Sequence, residues 1–208
     1  MANNKDILST IKRTIQEADA PAIFFISDFA ELGYEYVRKV LSALASQGEL
    51  KRLANGIYIK PKMTKFGPLQ PSAYQIVKAI AAHDSAHVLP TGVAAENMLG
   101  LSEQVPMKMN YITDGSARVL HVGSQTITLK RVAPKIFSIK NQTLAILCLA
   151  MKSIGEKNLT DEELGKIYEI IAKEKEKDGF AKDVQQMPLW IQNIIKPMIS
   201  KWSGLTIT

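Results

Sequence analysis

Apolar residues recur at i, i+3, i+4 and i+7 over Val37, Val40, Leu41 and Leu44, a spacing that puts all four on one face of a helix. The opposite face is polar, with Glu35, Arg38, Lys39, Ser42 and Ser46. Gly48 stands where a left-handed helix stop costs little without a Cβ. Residues 49–54 then run into Asn55-Gly56, a pair that favours a two-residue hairpin turn, and residues 57–60 form the returning strand. Upstream, Ile7, Leu8, Ile11 and Ile15 predict a first amphipathic helix, with Pro21 closing the link after it. Phe24, Phe25 and Ile26 make a short apolar run. Ser27 and Asp28 occupy N-cap positions, Glu31 follows, and Gly33 ends a second helix after barely one and a half turns.

A short helix, a glycine turn and a longer helix make a helix-turn-helix. With the hairpin appended, residues 1 to about 66 resemble a winged helix-turn-helix. In such a domain the exposed face of the longer helix meets base edges in the major groove, and nearby cations hold phosphates and release counterions. The candidates for groove contact are therefore Tyr34, Tyr36, Arg38, Lys39 and Ser42. Arg38 suits a guanine edge, and Glu35 opposes phosphate unless it accepts from a cytosine amine. On the hairpin and beyond it, Lys51, Arg52, Asn55, Lys60 and Lys62 are the expected backbone contacts, with Lys65 nearby.

Past Lys65, the stretch Phe66-Gly67-Pro68-Leu69-Gln70-Pro71 breaks both helix and strand and marks an expected domain boundary. Ser72 is placed to cap a helix with Tyr74, Val77, Ile80 and Ala81 on its apolar side, ended by His83-Asp84-Ser85. A loop containing Pro90 follows, and Thr91-Gly92 opens a short helix through Met98, closed by Gly100. Alternation at Met109, Tyr111 and Thr113, then residues 118–122 and 126–132, predicts three antiparallel strands joined by tight turns. Leu144, Leu147, Cys148 and Met151 share one helical stripe. Residues 160–163 form a capping box that opens a helix to about Lys177, and a last helix covers about Val184 to Trp202. The expected fold class is α+β: an N-terminal winged helix-turn-helix domain over 1–66, then a mixed helix and antiparallel-strand domain over 67–208, with a helical C-terminal tail from about 141.

Composition is that of an ordinary globular chain, with 46% hydrophobic and 22% charged residues. The net charge of +6 permits contact with nucleic acid, and it divides as about +3 over residues 1–65, about +3 over 66–140 and about zero afterwards. One cysteine, Cys148, excludes an internal disulfide and fits a reducing compartment. The polar amino terminus and the short apolar runs give no signal peptide and no membrane span, so a cytoplasmic location without a membrane role is expected.

Two strings add a family signal. Residues 48–58, GELKRLANGIY, and residues 89–101, LPTGVAAENMLGL, flank the proline-rich link and resemble the AbiEi-like antitoxin family. Asp114-Gly115, Arg118 and the basic strand ending Lys130-Arg131 fit the same pattern, so the resemblance spans roughly residues 5–140. It implies a two-domain antitoxin of a type IV toxin-antitoxin or abortive-infection system. Its first domain would bind double-stranded DNA and repress its own promoter, and its second would counter a nucleotidyltransferase-like toxin. The helical tail after about residue 141 carries no motif of that family.

Enzyme chemistry finds little support in the residues. His83 and His87 lie four apart, but Asp84-Ser85 and Pro90 favour a polar loop, without a zincin glutamate or a cysteine pair for zinc. Gly-x-Ser-x-Gly and Gly-x-x-x-x-Gly-Lys are absent. Gly115-Ser116 resembles a nucleotidyltransferase signature, yet no acid follows until Glu156, and two-metal phosphoryl transfer needs oxygen ligands. No catalytic residue, metal or cofactor is expected. The alternative to the antitoxin is a winged-helix regulator whose second domain senses a ligand or dimerises, with no toxin partner.

Overall fold

The computed structural model describes residues 4–104, 106–175 and 178–203. The protein is mixed α+β. By its contacts it divides into residues 1–80 with 119–123, and residues 81–118 with 124–208. The proline-rich boundary expected at 66/67 therefore falls inside the first unit.

The first unit begins with α1 (Asn4–Glu17), β1 (Ala22–Phe25) and a 3-10 helix over Ile26–Leu32, followed by α2 (Tyr34–Ser46), β2 (Lys51–Ala54) and β3 (Ile57–Lys60). The strands form an antiparallel sheet ordered β1-β3-β2. The 3-10 helix starts earlier than Ser27 and Asp28 suggest. Asp28 lies inside it, and its Oδ2 accepts from the Phe25 N–H at 2.7 Å. α2 ends in a Schellman turn: Gly48 has φ +80°, its N–H donates to the Ala45 carbonyl at 3.2 Å, and the Glu49 N–H donates to that of Leu44 at 3.0 Å. Ile11, Phe24, Phe29, Val37, Leu41 and Tyr58 close one apolar core between α1, α2 and the sheet.

A further pair of strands follows, β4 (Lys62–Thr64) and β5 (Gly67–Leu69), antiparallel to each other. This corrects the expectation that residues 66–71 would exclude a strand. Pro68 is accommodated because a two-stranded ladder leaves half of its N–H groups facing outward. Helix α3 (Ala73–His83) begins as expected, with the Ser72 Oγ accepting from the Gln75 N–H at 3.3 Å.

The second unit contains β6 (Val88–Thr91), α4 (Val93–Met98), β7 (Lys108–Thr113) and β9 (Gln125–Arg131), its strands in the order β6-β7-β9, while β8 (Arg118–Val122) falls almost wholly within the first unit. Two expectations are corrected. Pro90 lies in a strand, not a loop, and is tolerated because β6 is an edge strand. β7 pairs with β9 in parallel, from Lys108↔Thr126 to Thr113↔Arg131, so the three strands are not a simple antiparallel meander.

The helical part consists of α5 (Gln142–Ile154), α6 (Asp161–Lys173), α7 (Phe180–Val184) and α8 (Leu189–Ser203). α5 is buried all round from Leu144 to Met151, where the sequence suggests one stripe. Asn141 caps it, and buried Asp183 accepts from the backbone N–H groups of Lys140 at 3.0 Å and Asn141 at 2.7 Å. α6 ends at Lys173, and Lys177, its expected end, lies outside the described residues. The last helix expected from about Val184 to Trp202 is α8, which starts later, at Leu189 after Pro188, while the short α7 ends at Val184. Among the described residues no helix is long and apolar enough to cross a membrane.

Candidate nucleic-acid interface

Burial of Val37, Val40, Leu41 and Leu44 fixes the rotation of α2 and leaves Tyr34, Glu35, Arg38, Lys39 and Ser42 on the exposed face. Tyr34 is 57% exposed. Arg38 is not free in this state: its Nη2 donates to the Glu35 Oε2 at 2.8 Å. The hydrogen bond and charge of Glu35 raise the guanidinium above its already high ordinary value. Reaching a guanine edge requires Arg38 to leave Glu35, an exchange of one exposed pair for another. Tyr36 is half-buried and packed against the apolar core. Lys39 borders a shallow cavity of about 270 Å³ that also includes Lys12, a cation on α1 to which the hairpin pattern gave no clue.

The hairpin residues separate in role. Arg52 is exposed and folds over its own turn, donating to the Ala54 carbonyl at 3.3 Å and to the Asn55 Oδ1 at 3.0 Å. Lys51 is half-buried, with its Nζ 3.4 Å from the Gln70 Oε1. Lys60 is engaged within the fold. Its Nζ donates at 2.8 Å to the carbonyls of Gln16 and Ala18, clasping the last turn of α1, where carbonyls lack helical partners. Lys62 is exposed on β4. Sequence patterning missed the rest of that hairpin, where Met63, Phe66 and Leu69 are all exposed. Their only signal is apolar residues alternating with lysine over eight positions, masked by Gly67-Pro68.

Two polar clusters organise the second unit. Asp84 receives the His83 Nδ1 at 3.0 Å and the Arg118 Nη1 at 2.8 Å. Asp114 accepts from the His87 backbone N–H at 2.7 Å and contacts the His87 Nδ1 at 2.8 Å. Burial alone would push both carboxyls up, but these hydrogen bonds and charges hold them below the ordinary value. The two histidines thus serve different carboxylates, and among the described residues no group of three metal-ligating side chains converges. A cleft of about 700 Å³ is lined by apolar Ile112, Ile136 and Leu149, with Lys135, Lys152 and Ser153 among its polar residues. Cys148 also borders it, and burial pushes its thiol up to about 11 although Lys152 acts in the opposite direction.

No curated protein matches the chain. Residues 10–178 match the family described as a family of unknown function, DUF6088, and the chain belongs to that family.

Proposed function

We propose that this protein is a DNA-binding antitoxin that represses its own promoter and counters a nucleotidyltransferase-like toxin, acting without catalysis in the cytoplasm. The observation that carries the DNA-binding part is the exposed face of α2 beside a basic hairpin, in the order helix, strand, short helix, helix, hairpin, with a β1-β3-β2 sheet. That is the order of a winged helix-turn-helix, and it supports α2 as the recognition helix. Tyr34, Arg38, Lys39 and Ser42 are its readers, and Arg52 and Lys62 its phosphate contacts. The toxin-directed part rests on the resemblance of residues 48–58 and 89–101 to AbiEi-like antitoxins.

The test is a gel-shift titration against the DNA directly upstream of the gene, with unrelated competitor DNA and at two salt concentrations. Specific, salt-sensitive retardation supports the repressor. A folded protein that retards neither DNA refutes it. For the antitoxin part, co-expression with a neighbouring nucleotidyltransferase should restore growth.

The cleft of the second unit favours one other reading, a ligand-sensing regulator without a toxin. Under that reading no nucleotidyltransferase neighbours the gene, and a small molecule, not a toxin, modulates DNA affinity.

A further inference from the structure

Phe66 is 89% exposed, Met63 73% and Leu69 54%, all on the hairpin of β4 and β5. Single exposed apolar residues are ordinary on a protein surface, but three large ones on eight consecutive residues form a patch that calls for an occupant. The tip is braced. The Thr64 Oγ1 donates to the Gly67 carbonyl at 2.7 Å and accepts from the Phe66 N–H at 3.2 Å, while the Lys65 Nζ stands 5.0 Å from the centre of the Phe66 ring.

The stretch of sequence that carries the hairpin is cationic. Residues 50–83 contain no aspartate or glutamate, yet include Lys51, Arg52, Lys60, Lys62, Lys65 and Lys78. An apolar wedge within a carboxylate-free, lysine-rich stretch matches a polyanion that also offers flat, stackable faces. Pro68 lacks an N–H, which hinders strand-to-strand pairing with a second copy. The hairpin follows β3 after Pro61 alone, and the Lys51–Gln70 contact ties its root to β2. We infer that the β4–β5 hairpin is a second DNA-contacting element, in which Phe66 and Met63 wedge against a base step while Lys62 and Lys65 hold the flanking phosphates. This deepens the DNA-binding reading above and rests on it.

The experiment uses the full chain and circularly permuted fragments of its upstream DNA, measuring affinity and bend angle together. The double variant Phe66→Ala with Met63→Ala should bind about tenfold more weakly and lose most of the bend. Lys62→Ala with Lys65→Ala should keep the bend and lower the salt slope by about 0.9 per lost phosphate contact. All four side chains are exposed, so melting temperatures should match the wild type.

Wild-type affinity and bend in the Phe66/Met63 variant would overturn the inference while leaving the DNA reading intact. A Phe66/Met63 variant that loses affinity only because it no longer dimerises, as shown by sedimentation, would also overturn it. So would a variant that keeps DNA binding but no longer sediments with phosphatidylserine vesicles. A wild-type protein that binds no DNA would refute the parent reading itself.

Discussion

Single side chains in this protein are assigned their work by partners far away in sequence. Lys60 looks like a phosphate contact on a basic hairpin, yet it holds the end of α1 through two carbonyls. Lys60→Met should therefore lower stability by about 1–2 kcal/mol, measured by urea unfolding, and leave the salt slope of DNA binding unchanged. Gly115 shows the same dependence on distant residues in steric form. A Cβ there would stand 2.6 Å from the Ala86 Cβ, so Gly115→Ala should cost about 1–3 kcal/mol in the same assay. The Asp114 carboxyl is held below its ordinary value of 3.8 in the folded chain. Its stabilisation is thus present above that value and is lost as pH falls through the folded value. Asp114→Asn should weaken stability at neutral pH and flatten the acid limb of a pH–stability curve.

At the scale of elements, local chemistry and tertiary contacts can be separated at two helix starts. α6 is opened by a capping box: the Thr160 Oγ1 accepts from the Glu163 N–H at 3.2 Å, and the Glu163 Oε2 accepts from the Thr160 N–H at 2.8 Å. The residues involved lie three apart in sequence, so the motif is legible from the sequence alone. α5 begins with the Asn141 cap but also depends on Asp183, which arrives from α7 to bind two backbone N–H groups. Nothing in the spacing around Asp183 announces that role. Thr160→Ala should cost about 1 kcal/mol, whereas Asp183→Ala, which orphans two part-buried donors, should cost about 3 kcal/mol in equilibrium unfolding. The strands behave alike. The Asn55-Gly56 turn is locally encoded, but the parallel pairing of β7 with β9 is not, since alternation orients side chains without naming the neighbouring strand.

For the whole molecule, the proposed activities divide between the two units. α2 and the basic hairpins belong to the first. The cleft and α5, buried from Leu144 to Met151, belong to the second. Arg38→Ala with Lys39→Ala should weaken binding to the upstream DNA at least tenfold in gel shift and leave rescue from a co-expressed toxin unchanged. Loss of both together would contradict the division.

Periodicity, capping residues and turn glycines are short-range signals, and they are sufficient to locate α1, α2, the β2–β3 hairpin, α3, α4, the apolar stripe of α5 and the start of α6. They also marked Tyr34, Arg38, Lys39 and Ser42 as surface, because burying Val37, Val40, Leu41 and Leu44 fixes the rotation of α2. Tyr36 escaped that logic: an aromatic at the margin of the apolar stripe is claimed by whatever core lies beside it. The tertiary structure alone decided that Lys60 is a clasp, that Pro90 sits in an edge strand and that residues 62–69 form an exposed hairpin. It also decided that Asp183 is buried and satisfied. Each of these depends on which segments meet across many residues, and that choice is made by burial and hydrogen-bond pairing over the whole chain, which no local window contains.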